Sequence, residues 1–129
     1  VSIIFTGTER DDISPIQAMM RNPAVNMAGE TSLRELACLY RKAAALITTD
    51  SGPMHIAAAM GTPVVALFGP TDPARTGPYG KNHRVIRKDI SCSPCFLKRC
   101  PTKECMRRIE VEEVFQAVES SLRDKLERC

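Results

Sequence analysis

The chain has 129 residues, enough for one domain with a single core. Its 43% hydrophobic and 26% charged fractions are ordinary for a globular protein, and no run approaches the roughly 18 apolar residues that span a bilayer. The net charge of +3 is unevenly spread, because Lys81 to Arg108 carries nine Lys/Arg against only Asp89 and Glu104. Such a patch suits phosphate, an anionic membrane surface or nucleic acid. The plain alternative is a solvated face. Four Phe, two Tyr and no Trp argue against a stacking platform, so nucleic acid is not an expected partner. Val1 opens on a strand-like run with no basic segment before it, so no signal peptide is expected. Without an initiator Met the chain reads as a piece of something longer.

In chain order, Val1 to Phe5 reads as a buried strand entering the turn Thr6 to Glu9. Ser14-Pro15-Ile16-Gln17 has the pattern of a capping box with Pro in the first turn. Ile16, Met19 and Met20 are the predicted inner face of that helix, and Asn22-Pro23 stops it. Ala24 to Ala28 is a candidate edge strand, broken by Gly29. Thr31 or Ser32 caps a second helix with Leu33, Leu36, Ala37 and Tyr40 at helical spacing, and Cys38 reads as core. Ala43 to Thr49 is a continuous apolar run, as expected of a strand covered on both faces. A helix from Gly52 to Met60 and a strand from Pro63 to Phe68 follow. Past Gly69-Pro70 the chain is loop-like, with a short strand predicted at Arg84 to Arg87 and a cysteine-rich loop at 91–106. The last helix spans about 110–127, with Val111, Val114, Phe115, Val118, Leu122 and Leu126 on one stripe. Strands alternating with helices predict an α/β fold: a Rossmann-like parallel sheet with flanking helices, in one domain covering 1–129.

In such sheets ligands bind at the carboxyl ends of the strands. Three turns lie there: Thr6 to Glu9, Asp50 to Pro53 and Gly69 to Asp72. The central one has the most chemistry. Ser51 or Gly52 is the predicted N-cap, and Pro53 in the first turn has no amide hydrogen to contribute. The free amides and the helix dipole make an anion site. Gly52 admits a phosphate close to the backbone, and His55 adds a donor in the same turn. Asp50 repels phosphate and suits a sugar hydroxyl or the neighbouring backbone. The bland reading is that Ser51 caps, Asp50 ends a strand and His55 is half-buried and satisfied.

The run Asp50-Ser51-Gly52-Pro53-Met54-His55-Ile56-Ala57-Ala58-Ala59, then Gly61-x-Pro63 and Leu67-Phe68-Gly69-Pro70-Thr71, resembles the signature of glycosyltransferase family 9. These are the ADP-heptose:lipopolysaccharide heptosyltransferases. Gly29-x-Thr31-Ser32-Leu33-x-Glu35-Leu36 and Arg75-Thr76-Gly77-Pro78-Tyr79-Gly80 fit the same pattern, in the right order over about Val1 to Met106. The resemblance implies the C-terminal, donor-binding half of a GT-B glycosyltransferase. It implies that Asp50 faces the donor sugar, that Ser51 and Gly52 offer amides to the diphosphate, and that His55 contacts a phosphate. Met27, Gly29 and Leu33 then lie near the nucleoside. Heptose passes from ADP-heptose to the lipopolysaccharide inner core with inversion and with no metal or other cofactor, in the cytoplasm or at the inner membrane face. The family's catalytic carboxylate belongs to an N-terminal Rossmann-like domain and has no counterpart here, so no catalytic residue is expected in this chain.

Cys92-x2-Cys95-x4-Cys100-x4-Cys105 places four thiols within fourteen residues. Four thiolates suit a structural zinc, although the second pair is spaced more loosely than the usual C-x2-C. The default expectation is no metal; Cys129 is expected to be exposed. Two rivals accompany the main reading. One is the donor domain of another GT-B enzyme, because Asp50, Ser51 and His55 do not name the sugar. The other is a non-catalytic zinc or interaction module built on the cysteine loop and the basic patch.

Overall fold

The structure is a computed structural model that describes residues 1–128. The chain divides into two compact units, Val1–Leu36 and Ala37–Cys129. In the first, β1 (Ile3–Phe5) and β2 (Ala24–Asn26) form a parallel ladder in the register Ile3 to Ala24, with α1 (Ser14–Met19) between them in sequence. Ile3 and Ile4 are 45% and 42% exposed, not buried as expected, because β1 has one partner strand in a two-stranded sheet. The predicted capping box at Ser14 does not form. Ile13 is the N-cap, Ser14 lies inside the helix, and Gln17 Nε2 donates to the Ala24 carbonyl at 2.8 Å. That places Ile13 in the core and leaves Ile16 and Met19 exposed.

A reciprocal cap opens α2 (Leu33–Lys42): the Ser32 amide donates to Glu35 Oε2 at 2.7 Å, and the Glu35 amide to Ser32 Oγ at 3.3 Å. Tyr40 is the buried residue of this helix. Leu33 is 75% exposed and Cys38 is exposed too, against the sequence expectation.

The second unit is built on the parallel sheet β3-β4-β5, comprising Leu46–Thr49, Val64–Phe68 and Arg84–Arg87. Thr49 pairs with Leu67 and Phe68 with Arg87, so the three carboxyl ends share one edge. β4 is the centre. Val64, Val65, Ala66 and Phe68 are fully buried, which requires cover on both faces. α3 (Gly52–Ala59) and α6 (Val111–Glu127) both pack against it. The alanines of α3 permit that close approach, with Met54 and Ala57 fully buried. The expected two-sided burial of Ala43 to Thr49 fails. The strand is shorter, lies at the sheet's edge and alternates, with Ile47 52% exposed.

Two polar side chains at the start of β4 are partnered. Thr62 Oγ1 donates to the Tyr40 carbonyl at 2.5 Å. The Val64 amide donates to His83 Nδ1 at 3.2 Å, which leaves the ring proton on Nε2, 3.0 Å from the Tyr79 carbonyl. Along α6 the buried stripe is rotated from the predicted one. Ser121 is buried, with its hydroxyl on the Ala117 carbonyl, and Lys125 reaches the Ala43 carbonyl at 2.6 Å. Long and small polar residues thus cover part of the sheet while Val111, Phe115 and Leu126 face outward.

Phe68→Ala should lower the unfolding free energy by about 3–5 kcal/mol, read by denaturant titration at an unchanged m-value. Lys88 donates to Glu113 at 2.6 Å and holds that carboxyl below its ordinary value. Stability from such a group is full above the unfolded value, about pH 4.3, and fades as the pH falls through the lower, folded one. Glu113→Gln should therefore show a smaller acid-side drop in melting temperature than the parent, while their difference above pH 6 stays constant.

Candidate functional site

The carboxyl edge of β3-β4-β5 presents the turns Asp50–Ser51 and Gly69–Asp72. Ser51 is the N-cap of α3, in extended backbone, but its side chain makes no cap bond. Its hydroxyl instead donates to the Thr49 carbonyl at 3.2 Å and lies 3.2 Å from Thr48 Oγ1. The amide end of an eight-residue helix is therefore not closed by a side chain, and its dipole faces the edge where a ligand would sit. Gly52 is exposed, and a Cβ built there meets nothing within 4 Å. The fold itself does not demand a glycine at this position. His55 is exposed one residue past the buried Met54.

Asp50 is half-buried, and its Oδ2 accepts from Thr76 Oγ1 at 2.9 Å. Thr76 ends α4 (Pro73–Thr76), whose N-cap Asp72 accepts from the Ala74 amide at 3.0 Å. The carboxylate is thus steered by a second turn of the same edge. Nothing in the run Arg75 to Gly80 marks Thr76 as a partner of Asp50, because a pairing across 26 residues leaves no local periodicity to detect. Thr71 Oγ1 is a second polar group on this edge, buried and without a partner among the described residues.

Met27, Gly29 and Leu33 belong to the first unit. The Met27 amide donates to Phe5 O at 2.9 Å, and the Gly29 amide to Gly7 O at 2.8 Å, at the carboxyl end of β2. Gly29 has φ +74°, and a Cβ there would crowd the Thr8 carbonyl at 3.3 Å, so the backbone itself accounts for this glycine. Leu33 offers an exposed side chain at the start of α2.

The cysteine loop packs on the Gly69–Pro70 turn. The Cys95 and Phe96 amides both donate to the Pro70 carbonyl, at 3.0 and 2.8 Å, and Ser93 Oγ donates to Gly69 O at 2.6 Å. Arg87 holds Ser93 O at 3.0 Å. A Cβ at Gly69 would lie 2.7 Å from Met106 Sδ and 3.0 Å from Cys105 Sγ. Among the described residues no group of three His, Cys, Asp or Glu is placed to hold a metal ion. Cys129 lies outside the described residues. The Cys100 thiol is pushed down chiefly by the Thr102 hydroxyl and then by the Lys103 amide, 3.3 Å from its sulfur. A cleft of about 240 Å³ lined by Pro63, Lys81, His83, Arg84 and Asp124 opens at the opposite, amino edge of the sheet, away from Asp50 and His55.

Residues 2–106 match the family described as Glycosyltransferase family 9 (heptosyltransferase). The chain is 33% identical over 102 residues to lipooligosaccharide heptosyltransferase 2 of Campylobacter jejuni, covering 77% of this chain and 32% of that protein. It is 32% identical over 133 residues to lipopolysaccharide heptosyltransferase 1 of Pseudomonas aeruginosa, covering 91% and 37%. Among solved structures, a family 9 glycosyl transferase from Veillonella parvula superposes with a TM-score of 0.81 at 29% identity, over 95% of this chain and 37% of its own. The E. coli ADP-heptose LPS heptosyltransferase II gives 0.79 at 27%, over 96% and 37%. The chain spans about a third of the length of these relatives. With its parallel α/β architecture and the matched block from residue 2 to 106, the chain belongs to glycosyltransferase family 9, the heptosyltransferases.

Proposed function

We propose that this chain is the donor-binding half of a GT-B heptosyltransferase that transfers heptose from ADP-heptose to the lipopolysaccharide inner core with inversion. The observation that carries the reading is the α3 N-terminus: its amides are not closed by the Ser51 side chain, and nothing lies within 4 Å of where a Cβ at Gly52 would stand. A diphosphate fits there electrostatically, with His55 as a further donor. Asp50, oriented by Thr76, then takes a sugar hydroxyl rather than a phosphate.

In the reaction, the acceptor hydroxyl attacks the anomeric carbon from the face opposite the diphosphate. The bond to the diphosphate breaks, and negative charge grows on the departing ADP. The α3 amides and His55 stabilise that growing charge, an interaction stronger in the transition state than in the ground state. On this reading the acceptor proton goes to a carboxylate supplied by an N-terminal domain. The reading itself calls for no metal or other cofactor. Such an enzyme works in the cytoplasm, at the membrane face where its lipid-linked acceptor resides.

Isothermal titration with ADP and thermal shift with ADP-heptose test the assignment. The isolated chain should bind ADP weakly and transfer no sugar; measurable transfer would overturn the half-site reading. His55→Ala should weaken ADP binding about ten-fold, in line with loss of one charge-assisted hydrogen bond. Gly52→Val should keep the melting temperature near the parent's yet abolish binding, since the fold has room for the side chain and the phosphate does not. A larger shift with UDP- or GDP-sugars than with ADP-heptose would reassign the donor to another GT-B chemistry. Binding that survived both substitutions, alongside stoichiometric zinc, would point instead to the cysteine loop as an interaction module.

Thr76→Val should destabilise the second unit by about 1–3 kcal/mol by stripping a half-buried carboxylate of its donor. It should weaken ADP-heptose more than ADP, because only the sugar meets Asp50.

A further inference from the structure

Five of the nine Lys/Arg between Lys81 and Arg108 are engaged or lie outside the cysteine loop. Arg84 pairs with Asp124, Lys88 with Glu113 and Arg108 with Glu104, Arg87 holds the Ser93 carbonyl, and Lys81 lies at the opposite cleft. The other four, Lys98, Arg99, Lys103 and Arg107, are exposed and form no salt bridge among the described residues. Immediately before them, Phe96 and Leu97 are 49% and 57% exposed. Two adjacent large apolar side chains followed by two free cations are unusual on an otherwise solvated loop.

The loop is also held in place. Its backbone is tied to Pro70 through Cys95 and Phe96, and to Gly69 through Ser93. Phe96 has φ +56°, a conformation that a bulky residue adopts at a cost, and Arg75 lies 5.2 Å from its ring centroid. The tip is therefore presented outward from a fixed base, with Arg75 adding another cation beside it.

We propose that the segment Phe96-Leu97-Lys98-Arg99 docks this protein on an anionic lipid bilayer, Phe96 and Leu97 entering the interfacial region and Lys98, Arg99, Lys103 and Arg107 meeting acidic headgroups. Lasting peripheral attachment takes an apolar and a basic element together, and this tip has both. Charge complementarity selects an anionic surface. The side-by-side apolar pair selects lipid over nucleic acid, which would use the cations but not Leu97. The inference takes its location from the proposed function but stands on side chains other than Asp50, Ser51, Gly52 and His55.

The chain has no tryptophan, so Leu97→Trp supplies a single reporter at the tip. With vesicles of phosphatidylcholine and phosphatidylglycerol, its emission should shift to the blue and the protein should float with the lipid. Vesicles of phosphatidylcholine alone, or inorganic phosphate, should do neither. Raising the salt from about 0.1 M to several times that should release the protein. In the native background, Lys98→Glu with Arg99→Glu should cut the bound fraction at least ten-fold, since each cation near such a surface is worth about five-fold. Leu97→Ser should cut it several-fold. Asp50→Ala and His55→Ala should float like the parent, which separates this surface from the donor site. Absence of flotation, flotation insensitive to salt, unshifted Trp emission in vesicle-bound protein, or binding to RNA without binding to vesicles would each overturn the proposal.

Discussion

Everything in the second unit hangs on the burial of β4. A strand with Val64, Val65, Ala66 and Phe68 all inaccessible must be covered on both faces, and it leaves its neighbours no freedom of register. Pairing in parallel then brings Thr49, Phe68 and Arg87 to one edge. The turn chemistry therefore gathers there without any dedicated device. The start of the strand is fixed as firmly: the His83 ring takes the Val64 amide, and Thr62 is tethered to Tyr40.

At that edge the division of labour follows from charge. The helix end attracts anions; Asp50 repels them and is turned toward Thr76. On the proposed reading, the diphosphate of the donor answers the first and its sugar hydroxyls the second. Ser51 withdraws only its side chain: the hydroxyl is spent on the end of β3 and caps no amide of α3, while its carbonyl accepts from the Met54 amide at 3.2 Å.

Much of this was legible from residue order. The apolar run of β4, the bounds of β5 and the long C-terminal helix follow from composition and breakers, and the small residues of α3 announce a close-packed helix behind a turn. What failed was the reading of which faces are covered. Leu33, Cys38 and Ile47 have core-like identities but exposed side chains. Burial depends on what packs across from a residue, and a single chain's periodicity does not contain that. Ser14 illustrates a subtler limit. Its pattern matches a cap, yet Ile13 wins the position and Gln17 finds a better acceptor in Ala24. Thr76 was invisible as a partner of Asp50 for the same reason, because the contact is made by the fold and not by spacing.

The cysteine loop reads differently once Gly69 is taken into account. Met106 and Cys105 fill the space where any side chain at position 69 would go. The turn and the loop are thus fitted to each other like two halves of a joint. Exchanging the loop between related enzymes would mean carrying residue 69 along with it. A loop grafted alone onto a turn bearing a larger residue would push on the carboxyl end of β4 and, through it, on the edge that holds Asp50. The loop that carries the outward-facing tip and the turn beside Asp50 are in that sense one structural part.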